Sequence, residues 1–274
     1  MATNKQTTSL KLLCFNTLGT PFFAPMITAR YKKFCELLNT SDTDIICFQE
    51  VASYYHFFLL KKHLKNYPYH AYKKFVYGPK GGLVIFSKHP LESVRYDSFA
   101  SLGSLTMYTQ LLRNGVLSCK LKGLPVRILN THLITDFEYK SSAKNKYYPY
   151  VRQQMQETGV LMGSFSQSKD AIITVGDFNL AKYDPTYKEF LTNTHAEDLF
   201  AKEDEPTYFH DRYQWHFRAG KSVRIDYIFL LDKYDRISIQ STKHAFTDKV
   251  QIDSDTTNYL SDHIGLLTSF TIKN

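Results

Sequence analysis

The stretch AIITVGDFN, residues 171–179, joins a run of apolar residues to a polar end. Its apolar part is short and bounded by a glycine, which predicts a buried β-strand over Ala171–Val175. Asp177 and Asn179 follow two residues apart, so on an extended chain their side chains point the same way. A plain turn needs only one such residue. The pair therefore indicates a strand end that carries chemistry.

The same pattern recurs along the chain. Asn16 follows the apolar run LKLLCF, Glu50 follows DIICFQ, and His132 follows VRILNT. In the last third the order inverts, because polar residues precede the runs IDYIFLL and GLLTSFTI. Antiparallel strands run both ways, so ends of some and beginnings of others can meet at one edge. We expect one rim of the sheets to hold Asn16, Glu50, His132, Asp177, Asn179, Asp226, Asp262 and His263.

The remaining pattern is rich in strands with interspersed helices. Further strands are predicted at about 9–15, 44–49, 69–77, 83–87, 104–112, 115–121, 126–130, 225–231, 237–240 and 265–272. Helices are predicted from Thr28, with Thr28 as N-cap, and over about 54–64, 148–165 and 185–191. This order has no regular βαβ repeat. It predicts a four-layer α/β sandwich, with two packed, mainly antiparallel sheets flanked by helices. Without a repeat or linker, one domain over 1–274 is the simplest interpretation.

Composition limits the class of protein. Apolar residues at 43% and charged residues at 22% are typical of a globular protein. No apolar run is long enough for a transmembrane helix, and the N-terminus lacks the pattern of a secretory signal. The four cysteines lie in apolar segments without metal-site spacing, so we expect reduced thiols in a cytoplasmic protein. We also expect the protein to be a monomer. A net charge of +8 fits an anionic partner.

The polar residues of the predicted rim define a chemistry. Glu50 and Asp262 are hard oxygen donors, and the Asn16 carbonyl can add a third, a set that suits Mg²⁺ or Mn²⁺ better than zinc. The two histidines can move protons or donate to a phosphate oxygen. Asp226 can hold His263 in one tautomer.

In-line displacement at phosphorus needs an activated water, a metal on the phosphate oxygens and donors for the developing charge. Of Asp177 and Asn179, one can orient the water while the other donates to a phosphorane oxygen. The candidate catalytic residues are therefore His132, Asp177, Asn179, Asp226 and His263, and the candidate metal residues are Asn16, Glu50 and Asp262.

Six segments in order, CFN (14–16), ICFQEV (46–51), LNTHL (129–133), VGDFN (175–179), RIDYIF (224–229) and SDH (261–263), give a family resemblance. The chain resembles the endonuclease/exonuclease/phosphatase superfamily, which implies a four-layer sandwich and metal-dependent phosphoester cleavage. The resemblance implies that Asn16 and Glu50 lie in the metal site with Asp262 beside it. It also implies that His132 contacts the scissile phosphate, and that His263, paired with Asp226, is the general base.

Within the superfamily the chain is similar to neutral sphingomyelinase-like members. GGLVIFSKHPL (81–91), Arg152 with Gln153, and SDHIGL (261–266) carry this similarity. It implies a phospholipid head-group substrate, with Arg152 as a substrate-binding residue. A nuclease acting on DNA or RNA and a phosphoinositide-type phosphatase remain open, and a non-enzymatic binding module is the third alternative.

Aromatic and basic segments leave the substrate undecided. Phe22, Phe23, Pro25, Met26 and Ile27, or Tyr54, Tyr55, Phe57 and Phe58, would form an apolar rim for peripheral membrane contact if exposed. The second group is better explained as a helix face packed on a sheet, so the first group, which lies in a loop, is the better candidate. Tyr139, Lys140, Lys144, Lys146, Tyr147, Tyr148, Tyr150 and Arg152 could follow a nucleic-acid backbone or hold an anionic head group.

Overall fold

A computed structural model describes residues 7–21, 24–100, 114–135, 147–213 and 221–273 of the chain. The helices are α1 (Ile27–Thr40), α2 (Tyr54–His63), α3 (Tyr148–Ser166) and α4 (Pro185–Thr194), with a 3₁₀ turn at Lys80–Gly82. The strands are β1 (Thr7–Asn16), β2 (Ile45–Gln49), β3 (Tyr69–Ala71), β4 (Val84–Ser87), β5 (Leu91–Ser98), β6 (Gly115–Leu121), β7 (Val126–His132), β8 (Ala171–Asp177), β9 (Glu197–Asp198), β10 (Asp226–Leu231), β11 (Ile237–Ala245), β12 (Val250–Gln251), β13 (Thr257–Asn258) and β14 (Gly265–Lys273).

Two six-stranded sheets form the centre of the molecule. One has the order β11-β14-β1-β2-β4-β3 and the other β5-β6-β7-β8-β10-β9, while β12 and β13 form a separate pair. The pairs β1–β2 and β7–β8 are parallel, and the other strand pairs that the structure describes in the two sheets are antiparallel. Parallel neighbours end at the same edge, so Asn16 lies opposite Gln49 and His132 opposite Asp177.

The layers confirm the predicted four-layer sandwich. Inner-face side chains such as Leu12 and Ile128 fill the space between the two sheets. Helices α1 and α2 cover the outer face of the first sheet, where Phe34 packs with Phe48. Helices α3 and α4 cover the outer face of the second sheet. Each sheet therefore buries both faces, which explains why the strands read as nearly continuous apolar runs.

A buried polar bridge joins the two sheets beneath the polar strand ends. The amide nitrogen of Gln49 donates to Asn130 Oδ1 at 2.7 Å, and Asn130 Nδ2 donates to the carbonyl of Phe48 at 2.9 Å. Buried amides of this kind are costly unless they are paired, so the bridge favours one relative position of the sheets. It fixes the edges that carry Glu50 and His132.

Several predicted boundaries differ from the structure. The N-cap of α1 is Met26 in a left-handed conformation, so the prediction of Thr28 as N-cap is wrong. The predicted extended segment 69–77 is a strand only over Tyr69–Ala71. Strand β5 was not predicted, since it is an edge strand whose residues are only partly buried. The predicted strand 104–112 lies outside the described residues, as do Phe22, Phe23 and the segment 139–146.

No helix within the described ranges combines the length and the apolar character needed to cross a membrane. The longest, α3, has 19 residues, and its buried side includes polar Gln154, Thr158 and Ser166. Its role is to cover the second sheet.

Candidate active site

The eight predicted rim residues meet at one edge of the sandwich, linked through a chain of contacts. Asn16 Nδ2 donates to Glu50 Oε1 at 3.2 Å and to Asp177 Oδ2 at 2.9 Å. The Asp177 carboxylate also accepts a hydrogen bond from the backbone N–H of Asn179 at 2.9 Å. His132 Nε2 lies 3.5 Å from Asp177 Oδ2.

His263 completes this cluster. Its Nδ1 lies 2.8 Å from Asp226 Oδ2, and its Nε2 lies 3.7 Å from Asp177 Oδ2 and 4.0 Å from Asp262 Oδ1. Burial disfavours the charged ring, but the carboxylates of Asp226, Asp177 and Asp262 outweigh it and raise the pKa of His263 to about 10. The imidazole is therefore a strong base fixed in one orientation.

Asp177 and Asp226 are opposite each other on neighbouring strands and both are buried. Burial is the main cause that raises the pKa of Asp177, to about 6, and the nearby Asp226 charge adds to it. The positive charges of His263 and His132 oppose this rise. The second oxygen of Asp226, Oδ1, is buried and has no hydrogen-bond partner in the part of the chain that the structure describes. One ligand atom each from Asp177, Asp226 and His263 lie within 4.8 Å of one another.

The carboxylate oxygens of this group fit a divalent cation. Carboxylates crowded in a buried place repel each other unless a positive charge lies among them. Glu50 and Asp262 add two further hard oxygen donors at the same edge. We therefore assign the edge as a candidate divalent-metal site.

The amide of Asn16 is turned with its nitrogen toward the carboxylates. Its oxygen instead accepts the backbone N–H of Leu18 at 3.0 Å. In this arrangement Asn16 positions Glu50 and Asp177, and the metal ligation predicted for its carbonyl stays a prediction.

His132 is buried, and among the described residues neither of its ring nitrogens has a hydrogen-bond partner. A buried imidazole without hydrogen bonds costs folding free energy, so its position beside Asp177 indicates a functional role. It can donate to a phosphate oxygen placed at this edge, which is the role predicted for it.

Glu50 adopts a left-handed backbone conformation with a φ of 62°. Its carboxylate accepts from Thr20 Oγ1 at 3.1 Å. Burial opposes ionisation, but His132, His263 and these hydrogen bonds lower the pKa of Glu50 below its ordinary value. It is therefore held as an anion at the edge.

Two glycines that were not predicted as site residues enclose the Glu50 backbone. A side chain at Gly19 would come within 2.3 Å of the Glu50 carbonyl oxygen. One at Gly82, where φ is 66°, would come within 3.1 Å of the Glu50 Cα. A Gly-Gly pair such as Gly81–Gly82 indicates a turn, but the closeness of Gly82 to Glu50 follows only from the fold.

Arg30 was also not predicted. Its buried guanidinium donates to the carbonyls of Thr17 at 2.8 Å, Leu18 at 2.6 Å and Leu260 at 2.7 Å, and its Nε donates to Pro25 at 3.0 Å. Arg30 thereby joins the loop after Asn16 to the segment before Asp262. A charged residue within the apolar spacing of α1 was the signal that could have revealed it.

Thr207 has a similar positioning role. Its hydroxyl accepts the backbone N–H groups of Ile225 and Asp226 at 3.0 and 2.9 Å, and its carbonyl accepts Ile264 N–H at 2.8 Å. It therefore holds the Asp226 and His263 segments together.

Arg152 lies away from these contacts. It is on the exposed side of α3, where its guanidinium pairs with Glu189 of α4 at 3.0 Å. Its predicted role in substrate binding stays a prediction.

Comparisons with known proteins agree with this geometry. Sphingomyelin phosphodiesterase 2 of Mus musculus is 27% identical over 185 residues, which cover 63% of this chain and 42% of the mouse protein. A putative neutral sphingomyelinase of Caenorhabditis elegans is 27% identical over 264 residues, covering 84% of this chain and 58% of that protein. The chain thus spans about half the length of the curated relatives it matches.

A solved structure has a similar fold. A mutant of beta toxin from Staphylococcus aureus with bound magnesium ions superposes with a TM-score of 0.72 at 19% identity, covering 97% of this chain and 100% of the toxin chain. At that identity the likeness concerns the fold.

Residues 14–263 match the sequence family described as the Endonuclease/Exonuclease/phosphatase family, from the strand that ends at Asn16 to His263 itself. This match covers all eight residues of the site. The chain is a member of the endonuclease/exonuclease/phosphatase family.

Proposed function

We propose that the chain is a Mg²⁺-dependent phosphodiesterase that hydrolyses the head-group phosphodiester of a phospholipid such as sphingomyelin. The observation that carries the proposal is the buried Asp226–His263–Asp177 cluster. Beside it lies His132, whose ring nitrogens have no hydrogen-bond partner among the described residues. The names of the relatives, sphingomyelin phosphodiesterase and neutral sphingomyelinase, support the lipid substrate.

His263 is the proposed general base. Because Asp226 accepts the proton on Nδ1, the Nε2 lone pair faces the Asp177 and Asp262 side. The raised pKa of His263 reflects uncompensated carboxylates. A bound divalent cation would neutralise part of that charge and polarise the phosphate oxygens. Neutral His263 then takes a proton from the attacking water at Nε2.

Asp177, Asn179 and His132 complete the proposed mechanism. Asp177 accepts a hydrogen bond from the water and sets its direction toward phosphorus. The side-chain amide of Asn179 donates one N–H to the Leu133 carbonyl at 3.1 Å, which orients the other N–H for a phosphate oxygen. His132 donates to a second phosphate oxygen or to the leaving group.

A cytoplasmic location remains part of the proposal. The four cysteines, Cys14, Cys35, Cys47 and Cys119, are buried and unpaired, as is usual for proteins of reducing compartments. A monomeric state stays a prediction.

The test is a parallel assay of sphingomyelin in detergent micelles, a phosphoinositide and plasmid DNA, each with Mg²⁺, Mn²⁺ or EDTA. We expect release of the phosphorylated sphingomyelin head group with Mg²⁺ and loss of activity in EDTA. His263→Ala should abolish turnover while Mg²⁺ still raises the Tm, and the matched surface variant His89→Ala should behave like the parent.

Cleavage of DNA alone would replace the lipid proposal by the nuclease alternative. Absence of turnover on all three substrates, from protein shown to be folded, would leave only the binding-module alternative.

A further inference from the structure

A large exposed apolar surface lies on α2 and the loop after β3. It consists of Tyr55, Phe58, Val76 and Tyr77, whose exposed fractions are 64%, 55%, 67% and 67%. Tyr55 and Phe58 are three residues apart on the helix and so share a side. We call these four residues the aromatic face. Single exposed apolar residues are ordinary, but several large ones on two neighbouring segments indicate an interaction site.

The half-buried ring of Tyr54 ties the aromatic face into one unit. It stacks on Phe58 with the ring centroids 6.0 Å apart. Its hydroxyl donates to the Phe75 carbonyl at 2.7 Å, and its backbone N–H donates to the Tyr77 carbonyl at 3.0 Å. The start of the helix and the loop are therefore held together before binding, which lowers the entropic cost of binding.

This face is joined directly to the candidate active site. Val51 N–H donates to the Gly82 carbonyl at 2.9 Å, and Gly78 is in close contact with Ala52. Helix α2 follows Glu50 in the chain, and the loop with Val76 and Tyr77 leads into Gly82, which lies against Glu50. Both parts of the aromatic face are therefore continuous with segments beside Glu50. A molecule bound against the face lies next to the edge that holds the proposed metal.

The segment of chain that carries the face has charged side chains of one sign. Residues 51–91 contain seven lysines and no aspartate or glutamate. The exposed ones on α2 and the loops that follow it are Lys61, Lys62, Lys65, Lys73 and Lys74. Each exposed lysine near an anionic membrane contributes about 1 kcal/mol to attraction. Lysines around an apolar surface are typical of proteins that bind such a membrane from one side.

We propose that the aromatic face docks onto the surface of an anionic phospholipid bilayer and presents the active-site edge to lipid head groups. The proposal deepens the function above and rests on it for the choice of lipid as substrate. Val76 and Phe58 carry no hydrogen-bonding groups and gain only by entering an apolar phase. The partner of the face is therefore a bilayer interface rather than a nucleic-acid backbone.

Only part of this face was predicted from the sequence. Tyr55 and Phe58 are exposed as membrane contact requires, but Phe57 is buried in the core beneath α2. Val76 and Tyr77 were not singled out. In the described part of the other predicted rim, Pro25 and Met26 are exposed and Ile27 is buried.

The test is co-sedimentation of the full chain with phosphatidylcholine vesicles, with and without phosphatidylserine, in EDTA so that no turnover occurs. We expect the parent to bind the phosphatidylserine vesicles. The double variant Val76→Ser/Tyr77→Ser should bind them roughly tenfold more weakly. The matched control Val160→Ser/Tyr183→Ser removes equally exposed side chains, 71% and 69%, from elsewhere and should bind like the parent.

The contribution of the lysines to binding is tested separately. Lys73→Gln/Lys74→Gln should weaken binding to the anionic vesicles, while Lys188→Gln/Lys202→Gln, at two other exposed lysines, should not. Equal binding by parent and Val76→Ser/Tyr77→Ser would overturn the proposal. So would parent protein that sediments with no vesicle but binds duplex DNA.

Hydrolysis of soluble bis(p-nitrophenyl) phosphate separates this proposal from the proposed function. The Val76→Ser/Tyr77→Ser variant should cleave the soluble diester like the parent while losing activity on vesicles. Failure of the parent to cleave any diester would contradict the proposed function, whereas vesicle binding that survives the double substitution would contradict only the docking surface.

Discussion

His263 Nδ1 lies 2.8 Å from the Asp226 carboxylate, and both side chains are buried. Asp226 is the first residue of β10, and His263 lies just before β14. The pair fixes which ring nitrogen is available for chemistry, because Asp226 accepts the proton on Nδ1. Four predictions follow from this pair and from the residues that hold the site in place.

Asp226→Asn should lower kcat by roughly 10²–10⁴-fold, because the amide favours the wrong tautomer of His263 and removes its charge partner. KM should change little, and the pKa of His263 measured by NMR should fall. Asp248→Asn, a substitution at an exposed carboxylate, is the matched control. An unchanged pKa of His263 would show that Asp226 acts only on the fold.

The stability of the metal-free protein should depend on the charge of His263. Its folded pKa of about 10 lies above the ordinary value of 6.5, so the stabilisation is fully present below about pH 6.5 and is lost as the pH rises through 10. Asp177, with a pKa of about 6, titrates mainly below this window.

Urea unfolding in EDTA at several pH values between 6.5 and 10 tests this. The difference in unfolding free energy between the parent and His263→Ala should shrink by at most about 1.4 kcal/mol per pH unit. A difference that stays constant over the window would contradict the prediction.

Gly82→Ala should damage the site as well as the fold. At both Gly82 and Gly123 φ is positive, so alanine at either position should destabilise by about 1 kcal/mol. At Gly82 the new methyl also meets the Glu50 backbone at 3.1 Å, whereas at Gly123 no described residue beyond its two chain neighbours lies within 4 Å of the new methyl. Only Gly82→Ala should weaken the Mg²⁺-dependent rise in Tm.

Equal Mg²⁺ responses of the two glycine variants would mean that the contact between Gly82 and Glu50 does not position the carboxylate. Thermal unfolding with and without Mg²⁺ measures both effects in one experiment.

Arg30→Met should destabilise the protein by about 3–5 kcal/mol, because it leaves the carbonyls of Thr17, Leu18 and Leu260 without their donor in a buried place. Denaturant unfolding gives the change. Arg95→Met removes an exposed arginine and should stay within about 0.5 kcal/mol of the parent. A loss below 1 kcal/mol for Arg30→Met would show that water replaces the guanidinium there.

Much of the fold could be predicted because the signals are local. Apolar runs buried on both faces mark β1, β2, β7, β8 and β10, and helical spacing marks the helices. Edge strand β5 was missed, since partial exposure gives it no continuous apolar run. Helix caps were unreliable because Met26 reaches its left-handed conformation without a side-chain signal.

The chemical inventory of the site was determined by the sequence alone: carboxylates, amides and histidines at strand ends, in a fixed order. The tertiary structure decided how they are used. It turned the amide nitrogen of Asn16 toward the carboxylates and placed Gly82 against Glu50. It also left both ring nitrogens of His132 without a hydrogen-bond partner among the described residues. These are contacts between segments far apart in the chain, and no local pattern encodes them, since each depends on how two sheets and their loops pack together.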